Sequence, residues 1–276
     1  MTPTAPASEK TPIVICLPAM GVTASFYRTF ADALAVATGA MTDPIDLRGQ
    51  GDHPDRASAG ARFGYHEIVE HDIPARVAYW RTRAPGRPIV LLGHSLGGQL
   101  ALLACAQRET NADALVLVAA GTAHWRAWPR AERRRARWTV RAIRAAAALL
   151  PWYPGRRLGF GGDQPRRLMR DWAFNATTGR YRLEGSARTS EVLEAALRDV
   201  TLPVLAVSVA GDAVAPAGAV DELLALAPAT QLARCEIAAP GGQSPWRRHF
   251  SWARTPAPVV RTVAAWLAGQ FPISTI

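Results

Sequence analysis

Short apolar runs rich in Val, Ile and Leu alternate along the chain with longer segments whose apolar positions recur at helical spacing. Six runs read as strands, at 13–17, 41–46, 89–93, 114–119, 204–209 and 232–237, and the intervening segments read as helices at 25–38, 65–83, 97–107, 216–226 and 256–270. Most of the strand runs are continuously apolar and lack a period of two, as expected where a sheet is covered on both faces. Strands alternating with amphipathic helices predict an α/β fold built on a doubly wound, mostly parallel sheet.

The alternation stops after Gly121 and resumes at Pro203. The chain therefore divides into a first core part at 1–121, an insertion at 122–201 and a second core part at 202–276. Composition sharpens this division. The formal net charge is +10, and Arg supplies all the basic residues except Lys10. The insertion carries 17 Arg against 7 acidic residues, and the rest of the chain carries 15 basic against 15 acidic, so the whole excess belongs to the insertion. It also holds five of the nine tryptophans: Trp125, Trp128, Trp138, Trp152 and Trp172.

Arginine interleaved with tryptophan raises the reading of a binding protein for nucleic acid or acidic ligands. Against it, the arginines are dispersed along helical segments and no nucleic-acid motif is present. A solvated face whose arginine stems cover apolar surface accounts for the pattern more simply, and a nucleic-acid partner is not expected. Cys16, Cys105 and Cys235 stand singly in apolar segments, without metal or disulfide spacing. No apolar run has the length of a membrane span, and residues 1–10 hold no secretory apolar region. The expected location is the cytoplasm, with no membrane association.

The candidate chemistry begins at Gly93-His94-Ser95-Leu96-Gly97-Gly98, which follows a strand and opens a helix. A serine on a sharp strand-to-helix turn needs small neighbours two positions to either side, because the backbone doubles back on itself. Such a serine projects above the carboxyl edge of the sheet, where doubly wound folds bind ligands. Its hydroxyl needs a base and an acid that orients the base. The chain order expected of this arrangement is Ser, then Asp or Glu, then His. His249, in a loop at Arg248-His249-Phe250, is the histidine beyond the last core strands, and Asp212 follows the strand at 204–209. The oxyanion donors are placed at the backbone N–H groups of Leu96, behind the serine, and Met20, in the loop after the first strand.

Together these residues resemble the α/β-hydrolase superfamily over residues 13–267. Asp46-Leu-Arg48-Gly49-Gln-Gly51 is similar to a loop that often follows the second strand of such enzymes. Pro18-Ala-Met-Gly21, Phe26-Tyr27, Leu158-Gly-Phe-Gly161, Asp171-Trp172 and His249-Phe250 resemble more closely an uncharacterised group of bacterial α/β hydrolases. The resemblance implies that the insertion is a lid. Two departures stand out: too few residues precede the first strand for the usual antiparallel hairpin, and Arg248 stands where glycine often precedes the histidine.

The expected activity is that of a serine hydrolase acting on an ester or thioester of a small or medium-sized acyl substrate, through an acyl-enzyme on Ser95. Acyl transfer or cyclisation with the same triad is the alternative. Neither metal nor organic cofactor is expected. His94, Trp125, Trp128, Trp172 and Arg248 are candidate substrate contacts, the tryptophans lining an apolar pocket and arginine meeting an anionic group.

Overall fold

The computed structural model describes residues 11–239 and 244–272. In chain order, β1 (Ile13–Leu17) leads through a 3-10 turn at Ala24–Tyr27 into α1 (Arg28–Thr38) and β2 (Met41–Pro44). One long helical stretch then changes pitch twice, as α2 (Tyr65–Glu67), a π-turn at Ile68–Asp72 and α3 (Ile73–Arg83). β3 (Ile89–His94), α4 (Leu96–Cys105) and β4 (Ala114–Val118) follow. Beyond Gly121 come α5 (Arg133–Leu149), β5 (Trp152–Pro154), α6 (Gly155–Leu158), β6 (Asp163–Pro165), α7 (Arg166–Thr178) and α8 (Ser190–Arg198). The chain ends with β7 (Pro203–Val209), α9 (Ala217–Leu224), β8 (Gln231–Ile237), α10 (Pro245–Arg254) and α11 (Ala257–Gln270).

Six strands form one sheet in the order β2-β1-β3-β4-β7-β8, and every pairing in it is parallel. The strand side chains divide between two cores by simple alternation. Ile13, Ile15 and Leu17 face the helices α3, α4 and α8, while Val14 and Cys16 face α1, α10 and α11. Burial on both faces explains why these strands read as continuous apolar runs. The strand order reverses between β1 and β3, so the loops leaving their carboxyl ends diverge and leave a crevice between them. The expectation of an absent or abbreviated opening hairpin falls on residues 1–10, which lie outside the described residues.

Three elements differ from the sequence reading. β2 stops at Pro44 because Asp46 turns its carboxylate back to accept the N–H groups of Ala24, at 2.7 Å, and Asp52, at 3.0 Å. The insertion is not purely helical, since β5 and β6 pair as an antiparallel hairpin. α8 packs on α4 and buries Leu193 and Leu197 in the core, so it is the crossover helix that parallel neighbours β4 and β7 require. The segment standing apart from the sheet is shorter by that helix.

Candidate active site

Ser95 sits between β3 and α4 with φ 53° and ψ −118°, a conformation that costs an L-residue about 1–3 kcal/mol. Its N–H donates to the Val118 carbonyl at 3.1 Å, tying the turn to β4. A Cβ at Gly93 would strike Gly98, and one at Gly97 would strike the Leu17 and Pro18 carbonyls, so the strained turn exists only because these positions are bare. Leu96 is the first residue of α4. Neither its N–H nor that of Met20 has a hydrogen-bond partner among the described residues, and both residues line the cavity that Ser95 opens into. A second backbone contact fixes the Met20 loop: Gly21 has φ 74° and lies against the Gly161 carbonyl, where a side chain would collide.

The structure places Asp212 and His249 together. His249 Nδ1 donates to Asp212 Oδ2 at 2.7 Å, and Asp212 Oδ1 accepts the N–H groups of Val214, at 2.7 Å, and Ala215, at 3.1 Å. Both side chains are buried. The Asp212 carboxyl group thus accepts three hydrogen bonds, and its geometry leaves Nε2 of His249 as the acceptor nitrogen. His249 and Ser95 line the same cavity, with no hydrogen bond between them among the described residues. Such contacts often close only around substrate.

His249 lies within α10 and not in a loop. Proline at the first helical position and burial of His249, Trp252 and Ala253 on one side of the helix explain the local fold.

Behind the histidine is a network the sequence reading did not anticipate. The Ala19 N–H donates to the Tyr27 hydroxyl at 2.9 Å, Tyr27 Oη lies 2.8 Å from His94 Nδ1, and His94 Nε2 lies 3.0 Å from the His249 carbonyl. The carbonyl can only accept, so Nε2 of His94 carries the proton and Tyr27 donates to Nδ1. Complete burial, reinforced by nearby His249, pushes the His94 pKa well below its ordinary value, which keeps the ring neutral as this arrangement demands. His94 therefore does not face the cavity. It links the loop carrying Met20 to the backbone of His249.

The cavity has a volume of about 280 Å³ and lies between the sheet edge and the insertion. Met20, Leu96, Val140, Ile143, Phe160, Trp172 and Val214 give it an apolar interior, and Glu132, Arg135 and Trp246 are exposed residues among its lining. Trp128 also lines it, anchored by its Nε1–H to the Ala213 carbonyl at 3.3 Å, and Trp172 packs against Phe160 with ring centroids 5.3 Å apart. The other expected contacts lie elsewhere. Trp125 is not part of the lining and stacks with the guanidinium groups of Arg126 and Arg137, and Arg248 donates to the Ala210 carbonyl at 3.4 Å. Trp138 and Trp152 are exposed. Trp246 and Phe250 are lining residues that the sequence reading passed over.

Among the described residues, no group of His, Cys, Asp and Glu is placed to hold a metal ion, and no helix is long and apolar enough to cross a membrane.

A family model described as serine aminopeptidase, S33, matches residues 8–238. No curated protein matches the chain. Among solved structures, a monoacylglycerol lipase from Paleococcus ferrophilus is similar over 94% of this chain and 96% of that one, with TM-score 0.59 and 16% identity. Est1E from Butyrivibrio proteoclasticus, solved with ferulic acid bound, covers 95% and 90% with TM-score 0.60 and 17% identity. A putative non-heme bromoperoxidase from Mycobacterium tuberculosis covers 94% and 92% with TM-score 0.58 and 16% identity. At such identities the likeness carries the fold alone.

Proposed function

The chain belongs to the serine aminopeptidase S33 family of α/β hydrolases, and from that premise we propose that Ser95, His249 and Asp212 are a catalytic triad hydrolysing a carboxylic ester or thioester. The observation that carries the reading is the buried Asp212–His249 pair at 2.7 Å, opening on the same cavity as a serine held at φ 53°.

Ser95 Oγ attacks the acyl carbon as His249 Nε2 takes its proton, and the oxyanion forms against the N–H groups of Met20 and Leu96. Each such donor is worth about 2.7–4 kcal/mol in the transition state. His249 returns the proton to the departing alcohol or thiol. Water then attacks the acyl-enzyme by the same route and frees Ser95. Asp212 holds the imidazole in the tautomer that each step uses.

The interior of the cavity favours an apolar acyl group of small or medium size, with the insertion acting as a lid over it. An aminopeptidase substrate would bring an α-ammonium next to the scissile bond, and burying that charge requires a carboxylate beside it. Among the described lining residues the sole carboxylate is Glu132, which is exposed and shares the lining with Arg135. This supports ester over peptide cleavage.

The test is a series of p-nitrophenyl esters from acetate to octanoate, with an alanyl p-nitroanilide as the peptidase probe. The reading expects ester turnover, lost at least about 1,000-fold in Ser95→Ala. Ester turnover by Ser95→Ala at the parent rate, or preference for the anilide, contradicts it.

A further inference from the structure

Helix α5 has two opposed faces. Ala136, Thr139, Val140 and Ile143 face the cavity. On the other side, Arg134, Trp138, Arg141, Ala145 and Leu149 are all exposed. At about 100° per residue they fall in a single stripe roughly 80° wide. Trp138 is 61% exposed and Leu149 81%. The chain that follows keeps the same character: Leu150, Trp152 and Leu158 are exposed as well. Five of the large apolar side chains on the protein surface thus fall within residues 138–158.

Charge is concentrated in the same place. Residues 130–158 contain nine arginines and one acidic residue, Glu132, a local net charge of +8 out of +10 for the chain. The guanidinium of Arg141 lies 5.1 Å from the Trp138 ring centroid, so the cation and the aromatic ring share one spot on the helix.

Exposed apolar side chains ringed by charge mark an interaction surface. Three occupants can be weighed. A second copy of this chain would set one +8 segment against another, which Coulomb repulsion opposes. Nucleic acid would use the arginines and Trp138 but would leave Leu149, Leu150 and Leu158 in water. An anionic bilayer uses both kinds of residue: arginines pair with phosphate and keep their heads at the headgroup level, tryptophan prefers that depth, and leucine enters the acyl boundary.

We infer that the outer face of α5 and residues 149–158 dock the protein on an anionic lipid bilayer. The contact is peripheral, parallel to the surface, and agrees with the lack of a spanning helix among the described residues. It is independent of the acyl chemistry proposed for Ser95.

Sedimentation with vesicles of phosphatidylcholine, alone or mixed with phosphatidylglycerol, tests the inference. The full chain should be retained by the anionic vesicles at low salt and not by the neutral ones. At about fivefold per arginine, Arg134→Gln/Arg141→Gln should lower the partition coefficient roughly 25-fold. Trp138→Ser/Leu149→Ser should weaken retention while preserving its salt dependence. Equal retention by both vesicle types, retention by neither, or indifference to the arginine substitutions overturns the inference. So does tight retention of a DNA duplex together with vesicle binding that ignores Trp138→Ser/Leu149→Ser, which would assign the face to nucleic acid. The unfolding midpoint of each variant and its turnover of a soluble short ester, both expected at the parent value, separate loss of docking from loss of fold. Because vesicle retention needs no turnover, the result reads the same way if Ser95 proves not to be a nucleophile.

Discussion

Replacing Tyr27 with Phe removes a single oxygen from a place where Tyr27 is 1% exposed and His94 is 0% exposed. That oxygen accepts from Ala19 N–H at 2.9 Å and donates to His94 Nδ1 at 2.8 Å. The variant leaves one buried donor and one buried acceptor without partners, and water has no room to replace the hydroxyl without moving the ring. At about 1–3 kcal/mol for each orphaned group, unfolding should become easier by about 2–6 kcal/mol. In a chain of this size that corresponds to a fall in Tm of roughly 3–10 °C. The catalytic consequence follows from what the two ends of the network hold. Ala19 precedes Met20 in the loop proposed to hold the oxyanion, and His94 Nε2–H holds the His249 carbonyl at 3.0 Å. Neither Tyr27 nor His94 lines the cavity, so ground-state binding is spared while alignment suffers. With soluble ester as substrate, kcat should fall about 10- to 100-fold at nearly constant KM. Urea titration and steady-state kinetics measure the two effects. A Tyr27→Phe protein within about 0.5 kcal/mol of the parent and with unchanged kcat would refute this reasoning.

Asp212→Asn keeps the acceptor for Val214 and Ala215 but presents N–H groups to His249, which favours the wrong tautomer; kcat should drop about 10,000-fold with little change in KM. Gly21→Ala adds a side chain at φ 74° and against the Gly161 carbonyl, so a loss of more than about 1 kcal/mol of stability is expected in urea titration, together with slower ester turnover. Burial pushes the Asp171 carboxyl up to about 7, against the opposing pull of Tyr65 N–H, Arg182 and Glu184 N–H. Its unfolded value is near 3.9, so between about pH 4 and pH 7 the unfolded chain gives up a proton that the folded chain keeps, and the contribution of this group to stability falls as pH rises. Measured at pH 4.5 and 7.5, the stability difference between Asp171→Asn and the parent should move in favour of the variant by up to about 3 kcal/mol; a flat difference contradicts it.

The sheet was legible because its strands are covered on both faces, so burial itself writes continuous apolar runs into 13–17, 89–93 and 114–118. The turn at Ser95 was legible for a local reason: two flanking glycines are needed wherever the backbone doubles back. Contacts between distant positions leave no such local mark. Tyr27 and His94 are 67 residues apart, and nothing in either neighbourhood announces the pairing. His94 therefore reads as a substrate contact although it faces away from the cavity. The five insertion tryptophans look alike in sequence, yet Trp128 and Trp172 line the cavity, Trp125 stacks with arginines, and Trp138 and Trp152 face solvent. Helical phase decides this for Trp138 in α5 and Trp172 in α7, and phase needs the helix bounds; Trp125, Trp128 and Trp152 lie outside α-helices, so only the tertiary path of the chain places them. α10 was hidden by its Arg247-Arg248 pair, although its leading proline and the spacing of His249, Trp252 and Ala253 were available signals. α8 reads as part of the insertion because its sequence does not show that Leu193 and Leu197 pack on α4.

The central claim, that Ser95 is a nucleophile activated by His249 and Asp212, is tested most directly by a fluorophosphonate probe followed by mass spectrometry of the labelled peptide. The account predicts one adduct, on Ser95, abolished in Ser95→Ala and slowed by orders of magnitude in His249→Ala. An adduct on another serine, or no adduct on a folded protein that still turns over esters, would contradict it.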